Sequence, residues 1–280
     1  MTTRFKVLGF KIDSVKMLIY IILTVGALIS IFPFIWMILT SFKSYGEVAT
    51  GAFFPSKLRW INYVNAWKSQ PFGRYFLNTI FVAVTTTALL LVTSGLAAYA
   101  FARIDFWGRD TVFLMFLATM MIPGEVTLIP NFLIIKKLGW YNTYTAQIVP
   151  FIASPFYIFL LRQFFKTIPQ ELHDAAILDG CSHLCFLWKI VVPLSKAAIV
   201  TVAMLGFIGS WDAFLWPLIV TSKPEVRPIQ VGLRSFLVEA GTQTQELMAA
   251  ATFTIAPIVV LYFLTQKQFT EGIMTSGLKG

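Results

Sequence analysis

The groups able to do chemistry are concentrated in Glu171-Leu172-His173-Asp174-Ala175-Ala176-Ile177-Leu178-Asp179-Gly180, a charged island in otherwise apolar sequence. Pro169 suits the first turn of a helix, where its missing N–H costs nothing. Glu171 and Asp174 then lie near the positive end of the helix dipole, where a carboxylate gains about 0.3–1 kcal/mol. Ala175 and Ala176 offer a small face that another surface can approach closely, and Gly180 supplies the position that ends the helix. A second run leads through Trp188 and Ile190 to Pro193. The expected product is helix, turn, helix with exposed carboxylates, which is chemistry for docking. An ordinary interfacial helix would have the same composition.

Two further carboxylates, Glu125 and Asp212, fall within apolar runs. A charge at mid-membrane costs at least about 2.5–3.5 kcal/mol, so such groups face a cavity or a partner, or serve as hydrogen-bond hubs. No nucleophile stands beside a base, so intrinsic catalysis is not expected. Gly272-Ile273-Met274-Thr275-Ser276-Gly277-Leu278-Lys279 looks superficially like a phosphate loop, but Leu278 displaces the lysine and no Ser or Thr follows. Cys181 and Cys185 share one helix face. With only His173 and His183 to join them they make neither a redox motif nor a metal set, and they read as two buried free thiols.

The elements that must position these groups follow from composition. Charged residues are 12% of the chain against about 25% in soluble proteins; hydrophobic residues are 57% and mean hydropathy is +0.75. This is a polytopic membrane protein, in contact with lipid. The net charge of +9 is scattered, with no basic patch interleaved with aromatics, so nucleic acid is not an expected partner. Six runs approach the roughly 20 apolar residues of a span: 17–39, 77–101, 112–135, 144–161, 197–220 and 249–265. Basic residues hardly decide the orientation, although Arg4, Lys6, Lys11 and Lys16 favour a cytoplasmic N-terminus. The first apolar run is too long for a cleavable signal peptide.

Proline interrupts most spans, at Pro33, Pro123, Pro130, Pro150, Pro155, Pro217 and Pro257. These fit kinked helices around a path, or simply the tolerance of membrane helices for proline. Pro123-Gly124-Glu125 with Pro130-Asn131 is too disrupted for a straight lipid-facing helix. The expected organisation is a tail (1–16), a first span (17–39), an external loop (40–72), a five-helix domain (73–265) and a second tail (266–280).

Asp174-Ala175-Ala176, Gly180 and, beyond it, Ile190-x-Val192-Pro193 resemble the EAA motif of ABC importer permeases, with Asp174 in place of Glu and Val192 in place of Leu. The similarity extends through Phe32-Pro33-Phe34-Ile35-Trp36, Asn78-Thr79, Ala97 to Arg103, Gly139-Trp140-Tyr141-Asn142-Thr143, Trp211-Asp212-Ala213-Phe214-Leu215-Trp216-Pro217-Leu218 and the C-terminal tail. It covers nearly the whole chain and is similar to the maltose-permease G-subunit branch of carbohydrate importers. It implies an all-α membrane protein with six transmembrane helices, some kinked, in the type I importer permease fold.

By that resemblance 169–181 is a coupling helix that enters a cleft of an ATPase subunit. Its contact residues would be Glu171, Asp174, Ala175, Ala176, Asp179 and Gly180, with Ile190 and Pro193 behind them. The loop carrying Arg227, Pro228, Gln230 and Gly232 would meet an extracytoplasmic sugar-binding protein, and the C-terminal tail would also reach the ATPases. The implied assembly holds a second, homologous permease and two ATP-binding cassette subunits. ATP and Mg would be bound on those subunits, and no cofactor or metal is expected here. Sugars are held by planar polar groups and aromatic faces, so Glu125, Asn131, Trp211, Asp212 and Trp216 are the candidate substrate path. Asp212 stands where the family commonly has Asn, which weakens its case. A glycerol-phosphate or polyol importer shares these motifs, and a self-contained secondary transporter is the alternative from another class.

Overall fold

The computed structural model describes residues 5–7, 10–12, 14–237 and 243–277, with side chains over 15–237 and 243–266. Apart from a short antiparallel ribbon of β1 (Phe5–Val7) and β2 (Phe10–Ile12), the described chain is helical. Packing divides it into two units, 1–69 with 235–253 and 70–234 with 254–280.

In the first unit α1 (Ser14–Ser41) is an apolar helix of spanning length. The carbonyls at its end are satisfied by Asn62, whose Nδ2 donates to Ser41 O (2.7 Å) and Lys43 O (2.8 Å). Lys43 is buried because its Nζ lies over the Trp36 ring, 4.0 Å from the centroid, and donates to Thr40 Oγ1 (3.2 Å). The external loop expected at 40–72 contains α2 (Tyr45–Ala49) and α3 (Ile61–Ser69). A capping box starts α2: Ser44 Oγ accepts from Glu47 N, and Glu47 accepts from Ser44 N (2.6 Å). Bonds donated to its carboxylate by Ser44 and Ser56 lower the Glu47 pKa to about 2.

The second unit is built around α4 (Phe72–Arg103), which packs against α8 (Pro155–Lys166) and α12 (Lys196–Trp211). Small residues on α4, among them Ala83, Ser94 and Ala98, are buried and let its neighbours approach. The third expected span divides into α5 (Arg109–Thr119) and α6 (Gly124–Lys137), bent by 96° at Pro123-Gly124. The fourth is α7 (Tyr144–Ile148) with a 3-10 turn to Phe151, bent by 43° before α8. Proline explains both breaks, since Pro123 and Pro155 lack an N–H and bias the residue before them away from helix.

Next come α9 (Gln170–Leu178) and α10 (His183–Phe186). A π turn (Leu187–Val191) leads into α11 (Val192–Leu194), and the chain bends by 84° into α12. The fifth expected span is α12 and α13 (Leu215–Val220), interrupted between Trp211 and Leu215. After α14 (Ile229–Leu233), α15 (Thr244–Gly277) includes the last expected span. Among the described residues three helices are thus long and apolar enough to cross a membrane alone, or up to six segments if each bent pair is one span. Side chains of the tail beyond residue 266 lie outside the described residues.

Candidate functional site

The charged island folds largely as its residue types dictate. Glu171 sits in the first turn of α9, and Asp179 is its C-cap. Gly180 has φ of +78°, donates its N–H to Ile177 O (2.9 Å), and is followed by Cys181 donating to Ala176 O (2.9 Å). That pair of bonds is a Schellman close, which glycine adopts without the strain a Cβ would bring. Ser182 then caps α10 by accepting from Cys185 N (3.3 Å).

Ala175 and Ala176 part company. Ala176 is 6% exposed and packs into a core with Phe165, Phe186 and Val191, while Ala175 is exposed. The free face of α9 therefore carries Glu171, Asp174, Ala175 and Asp179 together with Leu172, Ile177 and Leu178, the last 89% exposed. Acidic side chains around exposed leucine and isoleucine suit a protein partner better than water. Ile190 packs against the core behind this face, and Pro193 is exposed on α11. Cys181 and Cys185 are not buried free thiols: they are half-buried and joined as a disulfide, Cα–Cα 5.6 Å. A separation of four across the α9–α10 turn brings them into bonding range.

The island is tied to the end of α4. Arg103 donates to Gln170 Oε1 (2.7 Å), Phe165 O (2.7 Å) and Ile168 O. Tyr99 Oη and His183 Nδ1 are 3.1 Å apart, and the His183 ring stacks on His173. Gln170 also donates to Asp174 (3.1 Å), so one acidic side chain of the free face is held from α4 through a single intermediary.

Toward its other end, α4 borders a cavity of about 380 Å³ shared with α8, α12 and α13. Trp216 lines it, with its ring fixed by donation to Ala146 O (2.9 Å). The other candidates for the substrate path do not line it. Trp211 is buried between Phe76 and Phe207, Asp212 accepts from Gln230 (3.4 Å), and Glu125 and Asn131 are exposed on α6. In their place the cavity presents Thr86, Gln147, Ser154, Tyr157 and Ser210. Gln147 was visible as an amide within an apolar run, but a search that started from the carboxylates in the spans and the aromatics beside them passes over it.

The 222–233 segment roofs this region. Asn78 donates to Arg227 O (2.9 Å), Thr79 Oγ1 accepts from Ile229 N (2.8 Å) and Gln147 donates to Val226 O (2.9 Å). Asn142, in the left-handed region at φ +64°, accepts from Ser222 N and Lys223 N. Of the residues expected to meet a binding protein, Pro228 and Gly232 are buried. Arg227 donates back to Ser222 O, and Gln230 engages Asp212. The exposed part of the segment is Ser222–Glu225.

A family model described as "Binding-protein-dependent transport system inner membrane component" matches residues 91–274. The arabinooligosaccharides transport system permease protein AraQ of Halalkalibacterium halodurans is 35% identical over 268 residues, covering 92% of this chain and 96% of AraQ. The sulfoquinovosyl glycerol transport system permease protein SmoH of Agrobacterium fabrum is 34% identical over 254 residues, 89% of each chain. The sn-glycerol-3-phosphate transport system permease protein UgpE of Yersinia pestis is 33% identical over 267 residues, 92% of this chain and 95% of UgpE. Among solved structures, a chain of a bacterial ABC transporter involved in import of the acidic polysaccharide alginate superposes with TM-score 0.83 at 25% identity, covering 95% of this chain and all of that one.

Proposed function

The chain belongs to the inner-membrane components of binding-protein-dependent transport systems, and from that membership we propose that it is a permease subunit of an ATP-driven importer of carbohydrate. The observation that carries this reading is the free acidic–apolar face of α9, anchored through Arg103 to a helix that lines a cavity. Partner ATP-binding cassette subunits bind ATP and Mg and hydrolyse ATP; this chain supplies the docking helix and no chemistry. A second, homologous permease completes the path, and an extracytoplasmic binding protein delivers the sugar near Ser222–Glu225. Both termini are cytoplasmic, which places α9 on the ATPase side and the roof segment outside, in a bacterial-type cell membrane. The names of the relatives span arabino-oligosaccharides, sulfoquinovosyl glycerol and glycerol 3-phosphate, so a carbohydrate or polyol is the substrate class.

The test is coupling in proteoliposomes that hold the whole transporter and its binding protein. Asp174→Lys reverses a charge on the free face, and Gly180→Asp adds a side chain where φ is positive. Each should cut uptake at least about tenfold, a loss equivalent to 1.4 kcal/mol, with the permease still present in the membrane. Normal uptake and normal stimulation of ATP hydrolysis in both variants would remove α9 from the coupling role.

A further inference from the structure

Within the cavity two buried polar atoms lack partners: Thr86 Oγ1 and Gln147 Oε1, on side chains 5% and 3% exposed. Unpaired buried acceptors are costly and usually mark a place where water or a ligand completes the bonding. The Gln147 amide cannot turn away, because its Nε2 is committed to Val226 O. The volume of about 380 Å³ lies within the range of roughly 300–1,000 Å³ typical of small-molecule sites.

The backbone points to the same place. The break between Phe151 and Pro155 contributes Ser154, and the break between Trp211 and Leu215 contributes Ala213, both to the cavity wall. Irregular backbone at membrane depth persists only where protein or a cavity satisfies it, and transporters place substrate at such interruptions. One freed carbonyl, Ile152 O, accepts from Thr93 of α4.

The lining also selects by charge. Among the described residues it contains no acidic, basic or histidine side chain. Gln147 Oε1 can only accept hydrogen bonds, so it favours a hydroxyl and repels a phosphate, sulfonate or carboxylate oxygen. Trp216 and Tyr157 supply apolar faces of the kind that pack on a sugar ring. Resting on the importer reading above, we infer that this chain itself holds an uncharged sugar ring in this cavity, with Gln147 Oε1 and Thr86 Oγ1 bonded to its hydroxyls.

The experiment uses the complete transporter in proteoliposomes with three probes: arabino-oligosaccharide, sn-glycerol 3-phosphate and alginate oligosaccharide. Uptake is normalised to assembled complex. The expected result is import of the neutral probe, with KM raised about three- to tenfold by Gln147→Leu and similarly by Thr86→Val. Gln147→Asn, which keeps the amide, should recover part of the loss, and Thr86→Val tests the site without touching the Gln147–Val226 bond that a merely structural role would rest on. Import of an anionic probe, or neutral uptake with unchanged KM in both apolar variants, overturns the inference and leaves the importer reading standing. Import of no probe counts against that reading and takes the inference with it.

Discussion

Two long apolar helices of this chain behave in opposite ways. α1 is the more apolar, yet 0% of its spanning window is buried; α4 is less apolar, and 33% of its window is buried. Lipid is as apolar as leucine, so hydrophobicity takes a helix into the bilayer without telling it what to pack against. What distinguishes α4 is its small and hydroxyl-bearing face, including Thr79, Ala83, Thr86 and Ser94, together with the polar residues Asn78 and Arg103 near its ends. The family match begins at residue 91, within α4, and leaves α1 outside.

That contrast can be broken most severely at Arg103. Arg103→Ala removes three donated bonds and should destabilise the α4–α9 junction by about 2–3 kcal/mol, since a bond from a charged donor is worth about 1.5–3 kcal/mol. A thermal melt of the detergent-solubilised transporter would register it, and uptake should fall more than ATP hydrolysis. Gly232→Ala comes next. The added Cβ would lie 2.5 Å from Tyr75 Cδ2, a ring with no exposure, so the α14–α4 contact must open. Overpacking of this kind costs about 1–3 kcal/mol, readable as a lower melting temperature and looser hydrogen exchange around 225–233. The smallest effect sharpens the comparison from the other side. Ile22 of α1 is 61% exposed, and Ile22→Ala should shift stability by less than about 0.5 kcal/mol in the same melt. A large loss there would mean that α1 packs on another subunit rather than on lipid.

How much of this was legible depends on the range of the physics involved. The break at Pro123-Gly124 and the closure of α9 by Gly180 follow from backbone rules acting over a few residues, whereas Pro33, Pro130, Pro217 and Pro257 lie inside continuous helices and proline alone does not say which site will break. The exposed acidic face of α9 was legible in type but not in detail, because Ala175 and Ala176 differ only by the side of α9 they occupy. The cavity was not legible. Trp211 and Trp216 sit five positions apart, but the interruption between α12 and α13 turns one into the core and the other into the lining. Thr86 and Gln147 meet only because α4 and α7 are brought together in space. The cysteine pair was misread because a spacing that fits no metal or redox motif still permits a local disulfide.

Among the described residues three single helices are long and apolar enough to span a membrane, and of these α4 alone has no interior proline, Pro33 lying within α1 and Pro257 within α15. Along such a helix Thr86 and Arg103 are separated by about 25 Å, at 1.5 Å per residue. α4 runs unbroken from Phe72 to Arg103, and the Ser94-Gly95 pair is the place in this stretch where it can bend most sharply. A tilt of about 10° imposed at Arg103 would sweep the Thr86 end through roughly 4 Å over that length. In mechanical terms α4 is a single beam, with the cavity near one end and the Arg103 junction with α9 at the other.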